Sequence, residues 1–168
     1  MKEFEQIYKE YFPRVYSFLY GMCGNASLAE ELTQESFYQA FVSFHRYNGS
    51  CELFTWLAAI AKNTYFKYLR RARSDEDIET VVIYADESES PEKAMESRVT
   101  SQMIKQAISE LSDKQRDVTV LRLYAELPFS QIAALLGISE GTAKVLYCRA
   151  RSRLRELLYE LRTGSVRS

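Results

Sequence analysis

Between residues 74 and 100 the chain carries nine acidic residues against two basic ones, a net charge of -7 in a protein whose total is only -1. The residues before that strip hold nine basic and seven acidic side chains, and those after it eleven and seven. A run of like charge repels itself and has little to bury, so 74–89 reads as a charge-extended linker. The chain is thereby parted into residues 1–73, an acidic stretch 74–100 that runs into the first helix of the next body, and residues 101–168. Each flanking body has room for three or four helices and a small core.

The hydrophobic period says what those bodies are made of. Phe4, Ile7, Tyr8, Tyr11, Val15, Phe18 and Leu19 recur at helical steps, one face of a helix expected to bend near Pro13. After the Gly24-Asn25 break, Ser27 and Glu30 have the spacing of a capping box. The helix they open carries Leu28, Leu32, Phe37, Phe41 and Phe44. A second break, Tyr47 to Ser50, precedes a long helix from Phe54 to about Arg73, with Phe54, Leu57, Ala61, Tyr65 and Tyr68 on one face. Ser90-Pro91 is a cap followed by a first-turn proline, opening a helix that runs to Leu111. Ser112 and Gln115 form another capping box, before Val118, Leu121 and Leu123. Only Val81 to Tyr84 alternates weakly as a strand does. The expected class is all-α, two small helical domains on an acidic linker.

Several functions are excluded by composition. The N-terminal residues lack the apolar core of a signal peptide. The most apolar stretch, Leu53 to Ala61, is far shorter than the ~20 residues that span a bilayer. The chain therefore reads as cytoplasmic, with no direct membrane insertion. Three widely spaced cysteines (Cys23, Cys51, Cys148) and a single histidine, His45, suggest no disulfide framework, no metal site and no nucleophilic triad. No cofactor and no catalytic residue is expected, and the chain is read as not an enzyme.

The sharpest local pattern lies in residues 127–158. Ile132, Ala133, Leu135 and Leu136 make a short apolar helix. Gly137 stops it by supplying a left-handed backbone. Ile138 plugs the corner, and Ser139 caps a new helix starting at Glu140. Two helices joined by a short glycine-containing turn are the unit whose second helix enters the DNA major groove. At about 100° per residue, Leu146, Ala150, Leu154, Leu157 and Leu161 form a core stripe, while Lys144, Arg151 and Arg155 share another face. Arg149 and Arg153 lie on the far flank. Glu140, Gly141, Thr142 and Lys144 occupy the first turn, where base edges are reached. The plainer reading is an amphipathic helix with a solvated basic face.

In the first body, Tyr47, Phe54, Trp56, Tyr65, Phe66 and Tyr68 are interleaved with Lys62, Lys67, Arg70, Arg71 and Arg73. Aromatic faces stack on unpaired bases while cations follow the backbone, which suits melted DNA. Equally, most of these rings sit at core spacing. The loop Arg46 to Glu52 has small polar residues and Gly49, a composition that could enclose a flipped base. The acidic stretch Glu30 to Glu35 is either a surface for a basic partner or a solvated face. Paired-carboxylate catalysis has no supporting second group there.

Taken in order, these motifs resemble the extracytoplasmic-function (group IV) sigma factors of bacterial RNA polymerase, over nearly the whole chain. Leu28 to Phe37 resembles that family's polymerase-binding helix. Phe54-Thr55-Trp56-Leu57 with Ile60 to Asn63 resembles its promoter-melting, minus-ten-reading helix. Ile132 to Lys144, with Arg149, Arg151 and Arg155, resembles its minus-thirty-five-reading helix-turn-helix. Departures are Glu31 at a position often held by aspartate, Pro128 at a position often held by a serine cap, and Val145-Leu146 in place of a small polar residue and an arginine.

The resemblance implies a protein that directs core polymerase to specific promoters, for a stress or envelope response, under an anti-sigma factor. It implies that Glu30, Glu31, Leu32, Gln34, Glu35 and Phe37 belong to the polymerase-binding segment. Arg46 and Asn48 of the loop, with Asn63, Lys67, Arg70 and Arg71, would meet the melted minus-ten strand. Ser139, Glu140, Gly141, Thr142, Lys144, Val145, Arg149 and Arg151 would read the minus-thirty-five duplex. The alternatives from the residues alone are a stand-alone helix-turn-helix regulator and a helical adaptor with merely solvated basic faces.

Overall fold

The computed structural model describes residues 2–74 and 91–164. Among them are seven α-helices and one 3-10 turn, and no strand. The helices are α1 (Lys2–Cys23), α2 (Ala26–Ser43), α3 (Leu53–Ser74), α4 (Pro91–Ser109), α5 (Asp113–Leu123), α6 (Phe129–Leu136) and α7 (Glu140–Thr163), with the 3-10 turn at Phe44–Arg46. The all-α expectation holds. The linker residues 75–89, the weak strand pattern Val81 to Tyr84 and the cap at Ser90 lie outside the described residues.

α1, α2 and α3 pack on one another as the first module. Its core is Val15, Phe18, Leu19 and Met22 of α1, Ala29, Leu32, Phe37 and Ala40 of α2, and Phe54, Leu57, Ala58, Ala61 and Tyr65 of α3. Pro13 sits inside the continuous α1. The cap of α2 differs from expectation. Asn25, not Ser27, precedes the helix, and its Oδ1 accepts from the Leu28 amide at 2.9 Å. An asparagine side chain three residues back satisfies one orphan amide as well as serine does, so the helix starts earlier. Phe41, expected on the core face, is 50% exposed.

In the second module α4, α5 and α6 all pack against α7. Ser112 does cap α5, accepting from the Gln115 amide at 3.4 Å. Val118 and Leu121 are buried as expected, but Leu123 is 48% exposed. The buried apolar residues of the last turn are instead Val120 and those of the following loop, Ala125 and Leu127. That loop turns through Glu126, at φ +56°. Arg122 holds it by donating to the Leu127 carbonyl at 3.0 Å.

The modules are not separate bodies. α3 touches both α5 and α6, and one continuous set of buried side chains runs from Val15 to Ala143. This joined arrangement was not legible from sequence, which specified only a tether.

Candidate nucleic-acid interface

α6 and α7 form the helix-turn-helix. Gly137 ends α6 at φ +66°, ψ +34°, a conformation costly for any residue with a Cβ. Ile138 follows, with its amide bonded to the Ala133 carbonyl at 3.1 Å. Ser139 then caps α7, its Oγ accepting from the Thr142 amide at 3.0 Å. α6 has no side-chain cap. The carbonyl of Pro128 instead accepts from Gln131 and Ile132 at 3.0 and 3.1 Å. Phe129 and Tyr147 meet edge-on, ring centres 5.5 Å apart, and fix α6 against α7.

The helical wheel of α7 is as expected. Ala143, Ala150 and Leu157 are buried, and Leu146, Leu154 and Leu161 are half-buried. Glu140, Gly141, Thr142, Lys144, Val145, Arg149, Arg151, Arg153 and Arg155 are all exposed. Lys144 pairs with Glu140 one turn earlier at 3.5 Å. Arg153 pairs with Glu156 at 3.0 Å. Both pairs are surface pairs that a phosphate can displace cheaply. The first two turns of α7 therefore present Glu140, Thr142, Lys144 and one exposed apolar side chain, Val145, with further cations behind them. Such a surface can reach base edges and the flanking phosphates.

A second surface runs between α2 and α3. A groove of about 790 Å³ is lined by Glu31, Gln34 and Glu35 on one wall and by Asn63, Lys67, Arg70 and Arg71 on the other. Two groups expected to serve different partners thus face one groove, one acidic wall opposite one basic wall. Glu30, Glu31, Gln34 and Glu35 are exposed. Leu32 and Phe37 are only 5% and 3% exposed. Phe37 lies among the rings of Phe4, Tyr8 and Phe12. Both side chains seat the helix in its bundle, and Leu32 also lines the floor of the groove. The exposed apolar residues of α2 are Tyr38, Phe41 and Val42.

The basic stripe of α3 is one residue shorter than its sequence suggests. Lys62 is 5% exposed, and its Nζ lies 3.1 Å from Asp117 Oδ2 of α5. Tyr65 and Phe54 are core, while Tyr47, Trp56, Phe66 and Tyr68 are half-buried. Arg46 and Asn48 are exposed in the segment before α3. That segment has internal structure. Tyr47 donates its hydroxyl to the Cys51 carbonyl at 2.7 Å, and Asn48 Oδ1 accepts from the Ser50 amide at 3.0 Å. Gly49 turns the chain at φ +74°.

Sequence reasoning did not find Gln131, Asp117 or Lys105. Gln131 Oε1 accepts from the Glu52 amide at 3.1 Å and from Thr55 Oγ1 at 3.3 Å. Lys105 donates to the Cys23 carbonyl at 2.6 Å. Each is a polar residue whose partner is more than fifty positions away, and no local pattern marks it. Among the described residues no cluster of His, Cys, Asp and Glu is able to hold a metal ion, and no helix is long and apolar enough to cross a membrane.

A helix-turn-helix with an exposed cationic reading helix, joined to a helical bundle with an acid-and-base groove, defines a two-module DNA-reading protein. Family comparisons match both modules. Residues 7–74 match the Sigma-70 region 2 model, and residues 101–154 the Sigma-70 region 4 model. The chain is 31% identical over 156 residues to the ECF RNA polymerase sigma factor SigM of Bacillus subtilis, covering 91% of this chain and 93% of that one. It is 34% identical over 166 residues to SigW of the same organism, covering 92% and 87%. Among solved structures it is similar to the sigma factor RpoE of Bartonella quintana in complex with the anti-sigma factor NepR. The TM-score there is 0.61 at 28% identity, over 95% of this chain and 98% of that one. The chain belongs to the extracytoplasmic-function sigma factors of the sigma-70 family.

Proposed function

We propose that this sigma factor meets core RNA polymerase through the exposed acidic face of α2, and promoter DNA through α3 and α7. Glu30, Glu31, Gln34 and Glu35 form the polymerase face, with Tyr38 and Val42 as its apolar continuation. Asn63, Lys67, Arg70 and Arg71 track the melted minus-ten strand, and Arg46 and Asn48 flank the loop that takes a flipped base. Ser139 to Val145, with Arg149 and Arg151, read the minus-thirty-five duplex. The chain supplies selection and opening only and is no enzyme, since the bond-forming chemistry belongs to the polymerase. It works in the cytoplasm. The Bartonella relative is a complex with an anti-sigma factor, which supports the same kind of control here.

The observation that carries this reading is the separation of faces. The carboxylates of α2 and the cations of α7 are all exposed and lie on different modules. One face is thus fitted to a basic protein and the other to phosphate. Reversing the charge of Glu31 and Glu35 together tests it. Both are exposed, so thermal unfolding should stay within a degree or two of the parent. Binding to core polymerase should fall at least tenfold. Unchanged core binding by the double variant contradicts the assignment.

A further inference from the structure

α3 lines two separate hollows. The groove described above takes Asn63, Lys67 and Arg71 from this helix. Turned away from it, Tyr65, Phe66, Leu69 and Arg73 line a second cavity of about 600 Å³. Among the described residues only Arg70 lines both. α4 and α5 supply the facing walls, Lys105 and Ile108 from one, Asp113, Arg116, Val120 and Tyr124 from the other. The volume is that of a small-molecule site. Four cations, Arg70, Arg73, Lys105 and Arg116, stand there against one carboxylate, Asp113, among the described residues. Three rings, Tyr65, Phe66 and Tyr124, lie beside them.

Most of this wall is pinned in place. Lys105 donates to the Cys23 carbonyl at 2.6 Å, which uses one of its three donors. The Arg116 Nη2 lies 3.1 Å from Asp113 Oδ1, and its guanidinium lies 4.3 Å above the ring of Phe66. The Nε of Arg116 is buried and has no acceptor among the described residues, a costly state for a donor. The Tyr65 hydroxyl donates to the Met22 carbonyl at 3.4 Å. Tyr124 is seated against Gly21, where a Cβ would come within 3.1 Å of its ring. Groups held in this way lose little freedom when a ligand binds.

We propose that this cavity binds a small phosphorylated ring compound of the nucleotide class. The aromatic and aliphatic side chains take the flat base. The guanidinium forks of Arg73 and Arg116, with the Lys105 ammonium, take the phosphates. An inorganic anion alone would leave the rings unused, and an apolar ligand would bury the cations without partners. A nucleic-acid strand is met on the other face of α3, where Asn63, Lys67 and Arg71 stand. The site goes beyond promoter selection, and its test needs neither DNA nor polymerase.

The test is isothermal titration calorimetry of the full chain with ADP and with GDP, free of divalent cations. At least one should bind at one site per chain, with a Kd at or below about 100 µM. Pyrophosphate alone and the matching nucleoside alone should each bind at least tenfold more weakly. Arg73→Ala, at an exposed position, should weaken the nucleotide by about tenfold. Arg116→Lys keeps the charge but loses the fork and the ring contact, and should weaken it by a similar factor. Lys9→Ala removes an exposed cation of α1 and should leave binding unchanged. Thermal unfolding without ligand checks that each variant is folded. No binding of either nucleotide at millimolar concentration overturns the site, as does pyrophosphate binding as tightly as the nucleotide. Binding that neither arginine variant weakens, or that Lys9→Ala weakens equally, overturns it too. Failure of the promoter reading would leave these results standing, since neither DNA nor polymerase is present.

Discussion

The Oγ of Ser139 lies 3.0 Å from the amide nitrogen of Thr142, and that bond fixes where the reading helix begins. Ser139→Ala should lower stability by about 1 kcal/mol through loss of the cap, with reduced binding to duplex DNA. Ser139→Asp keeps the cap and sets a negative charge at the helix start, a favourable place for it. That variant should unfold like the parent yet bind promoter duplex less well, because its carboxylate faces phosphate. Urea unfolding beside promoter binding by the polymerase complex reads both. Equal binding by the aspartate variant would remove Ser139 from the DNA surface.

Gly137 offers a second, purely conformational test. No atom lies within 4 Å of a Cβ built there, so a substitution meets no clash and feels only the backbone. Gly137→Ala should cost about 1–2 kcal/mol from the left-handed conformation, and Gly137→Asn less. If alanine costs nothing, the turn is not the one described.

The turn after α6 and the cap of α7 were legible because each rests on one local residue, Gly137 or Ser139, with a specific stereochemical task. The stripe of α7 was legible for a similar reason, since period alone assigns Ala150 and Leu157 inward and Arg151 outward. α2 shows where such reasoning fails. Asn25 and Ser27 are both good caps, and only the observed backbone, with Asn25 extended at φ -130°, decides between them. Phe41 follows the apolar period yet is 50% exposed, because it meets only the start of α1, where the Phe4 ring lies edge-on with centres 5.1 Å apart. Lys62 fails for a deeper reason. Among cations spaced along one helix, nothing local says which has a carboxylate waiting on another module. Domain packing is long-range information, and the sequence carried only its tether.

Tyr65 ties the first module to pH. Burial disfavours its phenolate and pushes its pKa well up from the ordinary tyrosine value, while its hydroxyl donates to the Met22 carbonyl at 3.4 Å. The unfolded chain loses this proton near pH 10, whereas the native state holds it longer. The stabilising contribution is therefore complete below about pH 10 and is lost as pH rises from there through the folded value. Tyr65→Phe should flatten the fall in melting temperature between about pH 9 and 11. Parallel curves for the two proteins would contradict the burial of this ring.

Lys144 and Arg151 are exposed on one side of α7. If each neutralises one phosphate, removing either should reduce the slope of log affinity against log salt by about 0.9 in the polymerase complex. Binding should weaken on all sequences alike, since phosphate contacts carry no base information. An unaltered slope takes the residue off the backbone-contact surface.

The most direct test of the whole account is run-off transcription from a promoter bearing both elements, with core polymerase present or absent. The account predicts promoter-specific product only when the chain and core polymerase are combined, loss of that product on reversing Glu31 and Glu35, and negligible promoter binding by the chain alone. Tight, sequence-specific binding of the free chain to duplex DNA, with no product on adding core polymerase, would contradict it.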